Sequence, residues 1–122
     1  MIQNLYLPDV GPSNNAFYSG LHWSERKKIV DHWHLLVFVW AKKYGLVPVT
    51  GPVNMDVECY FAKRRAFDSS NCSATAKLVE DGLVAAKILK GDGPKYVRWV
   101  RLRAIPRAEQ TYTMVTLSDA QP

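Results

Sequence analysis

Side chains that could act on a phosphate group are concentrated in residues 63–97, which read KRRAFDSSNCSATAKLVEDGLVAAKILKGDGPKYV. The carboxylates Asp68, Asp81 and Asp92 are spread along this stretch, and Lys77 stands four residues before Asp81. Clustered carboxylate and amide oxygens suit Mg²⁺, and a neighbouring lysine can offset charge that develops on a phosphoryl group. If these side chains meet in space, the chemistry they support is metal-assisted hydrolysis of a phosphodiester.

A single helix would bring most of these groups together. Asn71 or Ser73 can cap its first turn, and apolar residues then recur at helical spacing while Lys77 and Asp81 share another face. Such a helix advances roughly 20 Å, and an extended segment 87–92 would retrace about that distance. We therefore predict that Asp92 returns towards Asp68, so that three carboxylates and one lysine share a site.

The order and spacing of these motifs resemble the RusA family of Holliday junction resolvases. The matching elements are D-x-x-N from Asp68, K-x-x-x-D-G-L from Lys77 and G-D-x-P-K-Y-V from Gly91. The run G-P-S-N-N at 11–15 resembles an N-terminal element of the same family. Together the motifs cover about residues 7–97, and the match rests on their order and not on any one of them.

The resemblance implies roles for individual residues. Asp68, Asp81 and Asp92 correspond to catalytic and metal-binding aspartates, and Lys77 corresponds to the catalytic lysine. Ser70 stands where the family usually has a second aspartate, so its hydroxyl, or a water that it positions, is expected to fill that ligand place. The residues expected to bind DNA are Asn14, Asn15, Lys63, Arg64, Arg65, Asn71, Lys95, Arg98 and Arg101.

As a function, the resemblance implies a Mg²⁺-dependent endonuclease, with Mn²⁺ able to substitute, that resolves four-way DNA junctions in recombination and repair. It implies a homodimer whose two sites make paired symmetric nicks, and no organic cofactor. Two alternatives stay open: a non-catalytic junction-binding relative, suggested by Ser70, and a nuclease acting on flaps, forks or other branched DNA. The residues alone support only a basic nucleic-acid-binding domain and leave open whether it is a Mg²⁺ nuclease.

Composition agrees with a polyanionic partner. The 122 residues carry a formal net charge of +5, and 48% of them are hydrophobic, which is enough for the core of one domain. No apolar run approaches the roughly 20 residues that span a bilayer, so a membrane partner is not expected. Cys59 and Cys72 lack C-x-x-C spacing, which is typical of a reducing cytoplasm, here that of a bacterial host or of a phage-infected cell.

The pattern of elements predicts an α+β domain of order β-α-β-α-β-β over residues 1–122, with two main helices packed on a mixed sheet. Strands are predicted at 2–7, 53–61, 95–104 and 111–117, the last two as a hairpin that carries several arginines. The alternation in 53–61 puts Asp56 and Glu58 on the wet face of a half-buried strand. Residues 118–122 are predicted to fray.

The long helix predicted from Glu25 to about Tyr44 begins at a Ser24 cap and stops at Gly45. Its apolar stripe includes Trp33 and Trp40, which is more apolar surface than one small sheet readily covers. We therefore predict that this stripe takes part in a dimer.

Overall fold

The computed structural model describes residues 1–121, which fold into a four-stranded sheet with helices on one face. The strands are β1 (Ile2–Leu7), β2 (Val53–Tyr60), β3 (Val97–Ile105) and β4 (Tyr112–Asp119). The helices are α1 (Asn14–Tyr18), α2 (Trp23–Lys43) and α3 (Ser73–Ala85), and a 3₁₀ turn at Ser69–Cys72 leads into α3. The predicted small α+β domain with a mixed four-stranded sheet and two main helices is confirmed.

Strand β2 demonstrates how the sheet faces are divided. Val53, Met55 and Val57 are fully buried beneath the helices, whereas the intervening Asp56 and Glu58 are partly exposed on the other face. This alternation follows from the period of two along a strand, and it confirms the predicted wet face. The sheet is thus covered on one side only.

The strand order is β1-β4-β2-β3, so β3 and β4 are not the predicted hairpin. β3 runs parallel to β2 after the α3 crossover, and β4 then returns antiparallel on the far side of β2. The connection crosses the end of β2, where the N–H of Arg107 donates to the carbonyl of Lys63 at 2.7 Å. The short connection between β3 and β4 favoured a hairpin of these two strands. Because β3 instead pairs with β2 in a parallel β2-α3-β3 unit, β4 pairs with the other edge of β2.

Helix α2 begins two residues earlier than predicted. Its N-cap is His22 and not Ser24, and Nδ1 of His22 accepts a hydrogen bond from the N–H of Ser24. Its end is as predicted, because Gly45 adopts a φ of 68°, which suits glycine beyond a helix terminus. Trp33 is only 2% exposed and packs with Val37 in the core of the same chain. Trp33 is therefore covered by its own chain, whereas Trp40 of the same stripe is only partly buried, and the dimer stays a prediction.

Two smaller features differ from expectation. Helix α1 was missed, although Ser13 caps it by accepting from the N–H of Ala16. The segment 118–121 was expected to fray, yet β4 continues to Asp119 and the N–H of Ala120 donates to Pro52; the predicted tail residue Pro122 lies outside the described residues. Within residues 1–121, no helix is both long and apolar enough to cross a membrane.

The close contact between α2 and α3 depends on Gly82. A Cβ on this residue would lie 2.9 Å from the Cβ of Val37, which is closer than real side chains approach. With the glycine side of α3 pressed against α2, the face that carries Lys77 and Asp81 is turned away from that helix. Packing of the core therefore decides which side of α3 presents its charged groups.

Candidate metal and nucleic-acid site

Lys77 on α3 lies among three carboxylates. Its Nζ donates to Asp92 Oδ2 at 2.7 Å, and it lies 3.1 Å from Asp81 Oδ1 and 3.7 Å from Glu80 Oε1. One oxygen from each of Glu80, Asp81 and Asp92 lies within 4.8 Å of the others. Among the residues that the structure describes, this is the one group of three or more acidic, histidine or cysteine side chains close enough to share an ion. We call it the acidic cluster.

The acidic cluster is unbalanced in charge. One ammonium against three carboxylates leaves two negative charges when all four groups are ionised. The hydrogen bond to Asp92 and the neighbouring Asp81 raise the pKa of Lys77, so its Nζ stays protonated. The same hydrogen bond lowers the pKa of Asp92. The cluster is an anionic spot on a chain whose net charge is +5.

Glu80 is the member of the cluster that sequence reasoning missed. It is 8% exposed, and burial raises the pKa of its carboxyl group above the usual value, against the opposing effect of Lys77. The signal was present, since Glu80 follows Lys77 by three residues and therefore lies on an adjoining face of α3. It was passed over because it borders the buried side of the helix, where a charged residue is uncommon.

Asp92 reaches the cluster by a compact turn and not by the predicted extended segment. Residues 86–90 form turns and bends, with Lys87 at a φ of 63° and with Ile88 buried. Gly91 lies under the ring of Tyr96, and a Cβ there would come within 2.7 Å of the ring. Asp92 therefore lies beside Lys77 and Asp81, and the predicted site that joins Asp92 to Asp68 is not the cluster that forms here.

Asp68 and Ser70 do not belong to the acidic cluster. Asp68 is exposed at the start of the 3₁₀ turn, and its carboxylate makes no hydrogen bond or ion pair to Lys77 among the described residues. Ser70 is exposed, and its carbonyl accepts a hydrogen bond from Asn14 Nδ2 at 3.2 Å. Asp68 precedes the 3₁₀ turn and Ser70 lies within it, so both stand before the first residue of α3, and the sequence pattern did not anticipate this turn.

Asn14, predicted to contact DNA, has a structural role at the beginning of α3. Its Oδ1 accepts from the N–H of Ala74 at 2.7 Å, and its Nδ2 donates to Ser73 Oγ at 2.5 Å. The residue at the N-cap position of α3, Cys72, makes no side-chain hydrogen bond. Asn14, which belongs to α1, supplies the capping hydrogen bond in its place. The loop at 11–15 lies beside the segment that resembles the family motif and fixes its position.

The predicted basic residues fall into two groups. Arg101 lies on the uncovered face of the sheet, where its Nε donates to Asp56 at 2.8 Å, and Arg103 pairs with Glu58 beside it. The other predicted cations are exposed and have no ion pair among residues 1–121; they are Lys63, Arg64, Arg65, Lys95 and Arg98. Of the two remaining predicted asparagines, Asn15 is exposed and Asn71 is partly buried. The free cations therefore lie in the loops next to β2 and at the start of β3.

A groove links the acidic cluster to β3. Lys77 and Glu80 line it together with Val100 and Leu102, and it encloses about 220 Å³. Because Val100 and Leu102 alternate with Arg101 along the strand, the groove lies on the helix side of the sheet and Arg101 on the other. A ligand in this groove would contact Lys77 without meeting Arg101.

Two thiols brace the turn that precedes α3. Cys59 on β2 and Cys72 are both free and fully buried. The hydrogen bond with Cys72, together with burial, raises the pKa of Cys59, so that thiol stays protonated. Their contact ties the 3₁₀ turn to the sheet below it.

The donor set of the acidic cluster suits a hard divalent cation. Mg²⁺ binds oxygen at about 2.0–2.1 Å, so ligand oxygens in its octahedron lie about 3–4 Å apart. The three carboxylate oxygens lie within 4.8 Å of one another, which is compatible with a shared ion. Lys77 then has to move aside, because its ammonium lies between the same oxygens.

Comparison with known proteins does not identify a family: no protein-family model matches the chain, and no curated protein matches it. The resemblance to RusA resolvases therefore rests on the motifs quoted above and stays a prediction.

Proposed function

We propose that this protein is a Mg²⁺-dependent endonuclease that resolves four-way DNA junctions by paired nicks. The observation that carries the proposal is the group formed by Lys77, Glu80, Asp81 and Asp92, with more negative than positive charge on an otherwise basic chain. Glu80, Asp81 and Asp92 would hold the metal, which supplies polarisation of a phosphoryl oxygen and a hydroxide nucleophile when bound.

Lys77 is the residue that would act on the phosphate directly. Its Nζ is held protonated by Asp92 and Asp81, and it faces the groove beside β3. A protonated amine at that atom can donate to a phosphate oxygen and stabilise the charge that builds up there in the transition state.

The exposed, unpaired cations support a nucleic acid as the substrate. Arg64 and Arg65 in the loop after β2, and Lys95 and Arg98 at the start of β3, are exposed and can contact DNA phosphates. Such contacts supply affinity without sequence readout, which suits an enzyme that recognises the shape of branched DNA. Two copies acting together would make the paired nicks that a symmetric junction requires.

A second candidate is a junction-binding protein without nuclease activity. The observation that favours it is that Asp68 and Ser70 stand outside the acidic cluster, so the expected carboxylate pair at this end of the site is missing. The basic surface that binds DNA does not depend on those residues. This candidate predicts junction binding that is unaffected by Mg²⁺ and leads to no strand cleavage.

The deciding experiment is cleavage of a labelled four-way junction with Mg²⁺, with a linear duplex of the same sequence and an EDTA-treated sample as controls. The endonuclease proposal expects symmetric nicks in the junction alone, and only with metal. Binding without nicks at any Mg²⁺ concentration would leave the second candidate. Faster cleavage of forks or flaps than of four-way junctions would change the substrate but keep the metal site.

A further inference from the structure

A separate pocket lies at the end of the sheet where the parallel strands β2 and β3 begin. It encloses about 190 Å³ between residues 49–52, which precede β2, and Lys90, Lys95 and Tyr96, which precede β3. Sites for drug-sized ligands usually enclose about 300–1,000 Å³, so this pocket suits a smaller molecule. None of its lining residues belongs to the acidic cluster.

Backbone hydrogen bonds join the two walls of the pocket at both ends. The N–H of Val49 donates to the carbonyl of Ile88 at 3.0 Å, and the N–H of Val53 donates to the carbonyl of Tyr96 at 2.9 Å. Val49, Val53 and Ile88 are buried in the core, which anchors both joints. The pocket is therefore held by the fold and bounded at the two joined positions.

The only charge that lines this pocket is positive. Lys90 and Lys95 are exposed, and no carboxylate is among the lining residues. Across residues 1–121 neither lysine forms an ion pair, and the carboxylate of Asp92, which lies between them in sequence, is hydrogen-bonded to Lys77 at 2.7 Å. Two ammonium groups at one cavity repel each other, and an anion between them removes that repulsion.

The uncharged part of the wall is mostly apolar. Val49 is buried, Tyr96 is partly buried, and Lys95 Nζ lies 5.7 Å from the centre of the Tyr96 ring. The pocket thus offers two cations to an anion, and a nonpolar wall to the carbon skeleton that carries it.

We propose that this pocket binds a terminal phosphate group, as carried by a free nucleotide or by the end of a DNA strand. Lys90 and Lys95 donate charge-assisted hydrogen bonds to its oxygens, and the attached sugar lies against Tyr96. A terminal phosphate carries nearly two negative charges at neutral pH, which two lysines balance. An internal phosphodiester carries one charge, and its chain must continue on both sides, where the joined walls bound the pocket. The inference does not rest on the proposed nuclease activity.

The first test is calorimetric titration with thymidine 5′-monophosphate in a metal-free Tris–chloride buffer, with thymidine as the control ligand. Saturable binding of the monophosphate alone is expected, because thymidine lacks the anion. Thymidine that binds as tightly as its monophosphate overturns the proposal, and so does the absence of saturable binding up to about 10 mM monophosphate.

The lysines are tested one at a time. Lys90→Gln and Lys95→Gln should each weaken binding of the monophosphate by about tenfold, because each removes a charge-assisted hydrogen bond. Lys87→Gln is the matched control, since it removes an exposed lysine of the same turn that does not line the pocket. Equal weakening by Lys87→Gln and Lys90→Gln would mean that overall charge, and not this pocket, holds the ligand.

Gly51 allows the pocket itself to be blocked. It lies in the wall, and a Cβ built on it meets no heavy atom within 4 Å, so a longer side chain fits without disturbing the fold. Gly51→Glu places a carboxylate beside the lysines and should weaken binding by about tenfold, whereas the equally large Gly51→Gln should weaken it less. Melting temperatures close to the wild type confirm that both variants fold. Full binding by a folded Gly51→Glu contradicts the assignment of the pocket.

A last titration distinguishes the two sources of the phosphate. A short single strand is compared with and without a 5′-phosphate, using the wild type and Lys90→Gln. A gain in affinity from the 5′-phosphate that Lys90→Gln removes assigns the pocket to strand ends. Equal affinity of the two strands, with the monophosphate still bound, assigns it to a free nucleotide. A gain that Lys90→Gln leaves intact overturns the proposal, because the phosphate is then held elsewhere.

Discussion

Acidic and basic side chains meet on both sides of the sheet, but the balance of charge differs between the two sides. On the uncovered face, Asp56 pairs with Arg101 at 2.8 Å and Glu58 pairs with Arg103 at 3.4 Å, two acids against two bases. At the acidic cluster, one lysine serves three carboxylates. The excess of carboxylate, and not the presence of acids, is what distinguishes a candidate cation site from a solvated sheet face.

The two sides also differ in what surrounds the charges. The arginines of the uncovered face are about 70% exposed, where solvent screens their pairs and each contributes little. Glu80 is buried and therefore carries a desolvation cost that a bound cation would offset. A test of the site should therefore compare a substitution in the acidic cluster with a matched substitution on the uncovered face.

The largest expected effect is on cleavage. Asp92→Asn should lower the rate of junction nicking by roughly 100-fold or more, because loss of a metal ligand removes several kcal/mol of transition-state stabilisation. Asp56→Asn on the uncovered face should nick at a rate close to the wild type. Gel-shift measurements should find junction binding intact in both variants. Equal rates for Asp92→Asn and Asp56→Asn would remove the acidic cluster from the mechanism.

A smaller effect is expected on DNA affinity. The double substitution Arg64→Ala/Arg65→Ala should weaken junction binding by about tenfold and reduce the slope of log K against log salt by about two, because two phosphate contacts are lost. Arg101→Ala should change the slope by less than one, since its guanidinium is already paired with Asp56. A salt titration that gives Arg101→Ala the larger change would assign DNA to the uncovered face instead.

A further effect concerns the metal itself. Lys77→Met removes the ammonium that competes for Asp81 and Asp92, so binding of Mn²⁺ in the absence of DNA should tighten by roughly fivefold, about 1 kcal/mol. Nicking should fall in the same variant, because the charge near the phosphate is lost. Calorimetric titration with Mn²⁺ decides the first point. Weaker Mn²⁺ binding in Lys77→Met would mean that the ammonium supports the site and does not compete for it.

The smallest effect is on stability. Burial raises the pKa of Glu80, so between the ordinary glutamate pKa and the raised value the folded protein binds more protons than the unfolded chain does. The free energy of unfolding contributed by this group therefore falls as pH rises through that window. Glu80→Gln should melt roughly 2–4 °C higher relative to wild type at about pH 7 than at about pH 4. A difference that is the same at both pH values would contradict this account.

Local patterns in the sequence were sufficient for the elements and for part of the site. The alternation in β2 and the helical spacing around Lys77 both report burial through neighbours a few residues away, and both were predicted correctly. The pairing of Lys77 with Asp81 followed from the same spacing. These features depend on backbone geometry that a short window of residues determines.

The remaining features depend on contacts between distant residues. The position of β4 between β1 and β2 is decided by competition among strands, which no single window encodes. The cap supplied by Asn14 to α3 joins residues about sixty positions apart. Burial of Trp33 depends on α3 and the sheet together, so its apolar stripe looked the same in sequence whether a second chain or the first one covered it.

The strand order has a consequence for the time at which the fold can form. β1 pairs with β4 alone, from Ile2 opposite Ser118 to Leu7 opposite Thr113, so the earliest strand to be synthesised waits for the latest. During translation, β2, α3 and β3 can assemble while Leu5 and Leu7 have no sheet to join. Closing a loop of more than a hundred residues costs entropy before this pairing can form, and a ribosome-bound chain that ends before β4 would expose both strand edges that β4 normally occupies.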